Sequence, residues 1–560
     1  MLYPEFPESA DWLHKSQSQL ISALMNGYGE DGPYSEGSSH YWELSTRGLL
    51  DFIILSRNLG ATDYTKIPAV ADRLRRTMRW RLDITAPDGG VFAFGDSDRN
   101  SAGGDYLTLG GALLRDPVIT WGGRMILERT KDWPPAELNP TFLARIDLSL
   151  PTVKPTLVAG LYPLSGFSTF RSSWDANANA LFFKFGPTFL WRRQAESEPV
   201  ISGHAHGDAL EFELHYRGIP VLADIGRRGH YENWMTYGGF SKATIGHSTV
   251  GLGNPWGYDR LDGLFKKHRA EQGPDFAYER TQKDIGPADT KLMAFGDLGH
   301  IAFSSAKVKT YDTVEQQRSI VWLPDDSLTI VEDHMESSEE QPYEWYLTPI
   351  GNPVGTGSDL VFGDTRARLQ VLPILPTDEK RTVITSDTPN IPPYYIELAR
   401  GDASTAKDVS RSNTFSMLIL GKKAKTTDFL NVLVPYSSEK NPWTEVALSP
   451  SARRLTLNGK QVDISGRSEG GALTVVGQCG VVTSNSGNDE SYALTEGTEL
   501  RAGKQILVSA FLKTERWNGR YLPTLNALVS LQDKRASFDL KPWPGDVGML
   551  LNPPLAVPGE

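Results

Sequence analysis

Apolar positions in the first part of the chain recur at helical spacing. Ile67, Val70, Ala71, Leu74, Met78 and Leu82 share one face, with Arg73, Arg75, Arg76 and Arg79 between them. A second apolar run, Leu49 to Leu55, follows Tyr41 and Trp42 and stops near Asn58 and Gly60, residues that end helices. Shorter helices are predicted over 106–114 and 121–127, and Gly-rich loops over 27–39, 87–90 and 94–104. A Pro-rich stretch from Trp133 to Pro155 then reads as a domain boundary.

Beyond it the period falls to two. Leu210, Phe212, Leu214 and Tyr216 alternate with Glu211, Glu213 and His215, as in a strand with one buried face. Further strand-like runs cover 180–185, 318–323, 327–333, 415–420 and 429–434. Asn458-Gly459 between two alternating runs predicts a hairpin. So many strands favour stacked sheets over one twisted sheet. The expected organisation is an α+β multidomain protein. Residues 1–135 are helical, 136–160 a linker, 161–450 a large antiparallel β-sandwich and 451–560 a β-rich extension. There is no internal repeat and no low-complexity tract.

Composition narrows the function. A chain of 560 residues is expected to hold two or three domains. The net charge of −11 argues against a general nucleic-acid binder, yet a local basic patch would still guide an anionic substrate. The 14 Trp suit sugar binding, although most large aromatics are core. The single cysteine, Cys479, allows neither an intrachain disulfide nor a cysteine-based zinc motif. No apolar run is long enough to span a bilayer, and the first residues lack the pattern of a signal peptide. The protein is therefore expected in the cytoplasm, or in the periplasm or secreted if an N-terminal segment is missing. A homodimer is compatible with the sequence.

The candidate chemistry is concentrated in SGHAHGDALEFELHYRGIPVLADIGRRGHYENW (202–234) and KATIGHSTV (242–250). His204 and His206 stand two apart at the head of a strand and would face one side. Asp224 closes a second run and His247 precedes a third. Two histidines and a carboxylate at strand ends form a common zinc set. By spacing alone, histidines bonded within loops and a turn-capping Asp224 fit equally well.

The pattern HxHxDxLxFxLxxxGxPxLxDxG, followed by His-Ser-Thr-Val, resembles the β-domain signature of heparinase II/III-like polysaccharide lyases. Ser248 stands where that family usually has Asn. DGPYSEGSSHYW (31–42), PDGGVFAFGDSD (87–98) and LSGFSTFRSSWD (164–175) resemble further family elements, so the likeness runs from about residue 12 to about residue 435. It implies an N-terminal (α/α) toroid, here incomplete, followed by the sandwich. It also implies a structural Zn2+ on His206, Asp224 and His247, with Tyr41 and His204 catalytic. The family's Asn-Asn-His element would precede Tyr41, which lies too near the start of this chain to leave room for it. The implied reaction is β-elimination on a uronate-containing polysaccharide or oligosaccharide, giving an unsaturated uronate. Removing the weakly acidic C5 proton needs a base and donors that neutralise the adjacent carboxylate. A tyrosine near cations can act as base and acid, and a histidine can share that work. Glu36, Arg192, Arg227, Tyr231, Trp234, Tyr237 and Lys242 are the candidate substrate contacts. Arg193, Arg228 and the basic run 266–269 lie near them in sequence, and arginine forks suit carboxylates and sulfates. A non-catalytic carbohydrate-binding protein is the second reading. A glycoside hydrolase is the third; it would need a carboxylate pair, and Glu36 with Asp96 or Asp208 is available although no motif singles it out.

Overall fold

The computed structural model describes residues 6–130, 149–187, 204–226, 244–253, 289–385 and 413–437, apart from short breaks inside these spans, the pair 395–396, and strand backbones between 446 and 539. Among the described residues five α-helices fill the N-terminal part: α1 (Ser9–Gly27), α2 (Ser39–Asn58), α3 (Pro68–Asp83), α4 (Gly104–Leu114) and α5 (Pro117–Arg129). Pro68 at the first turn of α3 and Pro117 at that of α5 lack an amide proton the helix could not have used. Asp116 caps α5 through the amides of Val118 and Ile119. Helix α1 lies in the part expected to be helical, though no periodic apolar run was assigned to it. Its apolar stripe is diluted by Ser and Gln; Leu24 is buried and Leu20 and Ile21 pack beside it, while Trp12 is half exposed. No helix among the described residues is long and apolar enough to cross a membrane.

Five strands, β1 (Ala159–Tyr162), β2 (Phe167–Arg171), β3 (Ala180–Lys184), β4 (Glu211–Tyr216) and β5 (Ile219–Leu222), form one antiparallel sheet in chain order. A larger sheet holds β6 (Val250–Leu252), β7 (Thr290–Asp297), β8 (Ala302–Thr310), β9 (Val314–Leu323), β10 (Leu328–Leu347), β11 (Asn352–Pro353), β12 (Leu360–Gly363), β13 (Ala367–Leu375) and β14 (Lys380–Thr385). The short pair β15 (Tyr395–Ile396) and β16 (Asn413–Thr414) stands apart from it, and β17 (Ser416–Ser437) lies at its centre, between β13 and β10. A third sheet is built from strands between Val446 and Asp539. Leu457 pairs with Lys460 there, which is the register a hairpin at Asn458-Gly459 requires.

The first sheet is a middle layer. Leu181, Phe183, Phe212 and Leu214 join Phe295, Ile320, Trp322 and Trp345 of the larger sheet in one core. From its opposite face, Phe167, Ala180 and Phe182 pack among Trp42, Met78, Trp80, Phe92 and Phe94 of the helical part. The expectation of one buried face for 210–216 is therefore corrected: all six residues of β4 are buried. Its polar face is covered because the helical layer lies over it.

A polar seam fastens the two parts. Tyr162 Oη donates to Asp83 Oδ2 at 2.6 Å, and Arg171 donates to the backbone oxygens of Asp83 and Thr85. Burial pulls the Arg171 guanidinium down to about 10, still cationic at neutral pH. Asp31 accepts from the amides of Leu164 and Ser165 at 2.8 and 2.9 Å and from the Ser165 hydroxyl at 2.5 Å. The aspartate of the 31–42 segment is thus a clamp on the first hairpin of the β-region.

Candidate active site and metal cage

Tyr41 lies in the first turn of α2, and its orientation is set by its neighbour. Trp42 is fully buried, donates from Nε1 to Thr77 Oγ1 at 2.6 Å and packs against Trp80. Successive helical residues point about 100° apart at 3.6 residues per turn, so anchoring Trp42 turns Tyr41 outward. Its ring stacks on that of His204 with centroids 3.6 Å apart and 27° between planes, and His40 packs edge-on behind it at 5.2 Å. The phenol comes from the helical part and the imidazole from the β-region.

His204 and His206 precede β4 rather than heading it, so strand geometry does not align them. A carboxylate does. Asp96, fully buried, meets His204 Nδ1 with Oδ2 at 2.6 Å and His206 Nε2 with Oδ1 at 2.8 Å. A carboxylate only accepts, so both nitrogens carry protons. His204 Nε2 then faces away from Asp96, with Glu36 Oε2 at 3.7 Å, and Nδ1 is the nitrogen of His206 that does not face Asp96. The loop bearing Asp96 is pinned on several sides. The Asp96 amide donates to the His204 carbonyl, the Ser38 hydroxyl donates to the Asp96 carbonyl, and the Ser39 amide donates to Ser97 Oγ. Gly95 has φ +56°, and a side chain there would press on the carbonyls of Gly37 and His204.

Behind His206 lies a group able to hold a metal ion: His206, Asp208, Asp224 and His247 are all buried, and each offers one ligand atom within 4.8 Å of the others. The structure brings together the three residues expected from sequence and adds Asp208. Lys184 binds Asp208 Oδ1 and leaves Oδ2 without a hydrogen-bond partner among the described residues, as is His247 Nε2. His247 Nδ1 lies 3.1 Å from Glu211 Oε2 and 3.2 Å from Asp224 Oδ2. Burial, then Asp224 alongside, pushes Glu211 well above the usual carboxylate range. Burial opposes charge on His247, but Glu211 and Asp224 prevail and raise it well above an ordinary histidine. Burial likewise opposes the charge of Asp224, and His247 outweighs it, so that carboxyl is lowered. Carboxylates packed this densely need a positive charge among them. Orphaned ligand atoms and a nitrogen/oxygen donor set fit a divalent cation.

Residues 156–427 match the family model described as heparinase II/III-like, C-terminal. That region is a heparinase II/III-like C-terminal domain. Among solved structures the chain resembles the heparan sulfate lyase HepC from Pedobacter heparinus, at 15% identity and a TM-score of 0.56, over 82% of this chain and 62% of that one. Two heparinase III structures give TM-scores of 0.58 and 0.57 at 13% identity, covering 88% and 89% of this chain and 62% and 65% of theirs. At such identity the likeness is one of fold, and the chain spans about three fifths of the length of these relatives. No curated protein matches the chain.

Within this heparinase II/III-like domain, Arg192, Arg193, Arg227, Arg228, Tyr231, Trp234, Tyr237, Lys242 and the run 266–269 lie outside the described residues. The carboxylates considered for a hydrolytic pair are otherwise engaged: Asp96 is buried against both histidines, and Asp208 is buried against Lys184. Asp96 as a bridge, Asp208 in the cage and Glu211 against His247 were not assigned from sequence. Two glutamates and a histidine alternating along an apolar strand were the available signal.

Proposed function

We propose that the chain is a polysaccharide lyase cleaving a uronate-containing polysaccharide by β-elimination, with Tyr41 and His204 sharing the acid–base work. The reading rests on the stack of these two rings across the boundary between the helical part and the β-region. One of the pair takes the C5 proton. The freed electrons form the C4–C5 double bond and expel the glycosidic oxygen, which leaves with a proton returned by the same pair. His204, held by Asp96 at Nδ1, turns Nε2 toward the base or toward the uronate carboxylate, where a donor lowers the cost of the developing carbanion. Glu36 lies beside that nitrogen and is assigned to the substrate-facing side. Arg192, Arg227, Tyr231, Trp234, Tyr237 and Lys242 are assigned to the same role by their sequence position. Zinc is the metal we assign to His206, Asp208, Asp224 and His247; when bound it would neutralise these carboxylates and brace the segments carrying them.

The test is a panel of uronate polymers, followed by the ultraviolet absorbance of the unsaturated product. At least one polymer should yield product, and Tyr41→Phe should slow the reaction by about 10²–10⁴-fold without changing the melting curve. Equal rates in wild type and Tyr41→Phe would remove the mechanism. No product from any polymer, with sugar binding retained, would favour a binding protein.

A further inference from the structure

We propose that Asp96 is a positioning residue through which a cation in the cage sets the orientation of the His204 imidazole. The proposal rests on the reading of His204 and of the cage given above, and it goes beyond both by joining them. Each oxygen of one buried carboxylate holds one histidine, at 2.6 Å to His204 Nδ1 and 2.8 Å to His206 Nε2. His206 is a cage residue, and His204 carries the ring stacked on Tyr41. A histidine that binds a metal through one nitrogen commonly gives its other N–H to a carboxylate, which fixes the ring and its tautomer. Here that carboxylate is shared. A cation on the ring nitrogen of His206 that does not face Asp96 would fix that ring, the ring fixes Asp96, and Asp96 fixes Nδ1 of His204, so that Nε2 is the nitrogen offered to substrate. The carboxylate has little freedom to re-aim, because its backbone is tied to the His204 carbonyl and to Ser38. Asp96 also belongs to the helical part, whereas both histidines belong to the β-region, so the same bridge sets the spacing of His204 from Tyr41.

Asp96→Asn is the variant of choice. It keeps the shape but offers one acceptor and one donor where two acceptors are needed. Full-length wild type and variant are titrated with zinc against a chromogenic chelator, and the imidazole resonances of His204 are followed by NMR, assigned by their loss in His204→Gln. Wild type should show a zinc-dependent change in the His204 signals. Asp96→Asn should bind zinc about 10–100-fold more weakly and lose that change at saturating zinc. On a polymer that serves as substrate, kcat should fall by about 10–100-fold with KM little altered. Wild-type zinc affinity in the variant, with the His204 response intact, would overturn the proposal. If the variant does not fold, the wild-type titration decides alone, since His204 signals indifferent to zinc would also overturn it. Should wild type make no unsaturated product while both zinc results hold, the lyase reading falls and the coupling stands.

Discussion

His215 shows what the buried polar face of β4 costs and what it gains. Its ring is fully buried, and Arg99 Nη1 lies 3.2 Å from Nε2, a contact in which the guanidinium donates and the ring accepts. Burial, then the charges of Arg99 and Arg171, holds His215 well below an ordinary histidine, so it is neutral in the fold. The unfolded chain takes up a proton near pH 6.5 that the folded chain refuses. Stability attributed to this residue is therefore constant above that pH and falls as the pH drops below it, by about 1.4 kcal/mol per unit. His215→Gln keeps an acceptor for Arg99 and removes the titration. Its melting midpoint should drop less than that of wild type between pH 7 and pH 5.5, and parallel curves would show that His215 does not carry this dependence. The residues of the candidate site were legible in part. Tyr41, His204, His206, Asp224 and His247 stood in patterned segments, as did Asp96 in 87–98, but the role of Asp96 depends on partners more than a hundred positions away, a distance that no local spacing encodes.

The elements around the cage depend on one ion pair in the larger sheet. Arg318 on β9 meets Asp333 on β10 through two bonds of 2.8 Å, and its Nη1 donates to the carbonyls of Leu210 and Ser248 at 2.6 and 2.5 Å. Those carbonyls adjoin Glu211 and His247, and Leu210 is held at φ +60°, an unfavourable backbone for leucine. Arg318→Met should cost about 3–5 kcal/mol, because it strands the buried Asp333 charge, and it should weaken zinc binding by loosening both segments. Arg318→Met with Asp333→Leu should be less destabilised than the single variant in urea melts, yet just as poor at holding zinc. A double variant as unstable as the single one would refute the account. Strands were legible where one period ran unbroken. The runs at 415–420, from Ser416 on, and 429–434, read as separate, belong to the single strand β17. The intervening polar residues pair with an equally polar stretch of β10 in a part of the sheet largely open to water, where no apolar alternation is required.

At the scale of the whole molecule, the middle sheet decides what the cage can do. It carries apolar side chains toward the larger sheet and Glu211, Glu213 and His215 on its other face. The cage residues lie at strand ends: His206 and Asp208 before β4, Asp224 after β5, and His247 before β6, which pairs with β10 of the larger sheet. A cation bound there ties three chain segments from two sheets, and Asp96 extends the tie into the helical part. Binding only the folded form stabilises it by mass action, about 2.7 kcal/mol when free metal is a hundredfold above its dissociation constant. The stabilisation should be uneven, since local opening is governed by local contacts. If the cage holds the zinc proposed for it, stripping that zinc with a chelator should raise amide hydrogen exchange most in 204–211, 224–226 and 244–250, next in 94–97 and 38–41, and least in β9 and β17, whose ladders lie within the large sheet. A uniform rise across the chain would mean that the cation supports the fold as a whole, and no rise would mean that the buried carboxylates do not hold it. The order in between, cage first, Asp96 loop second, sheet last, is the one that a path from metal to Tyr41 demands.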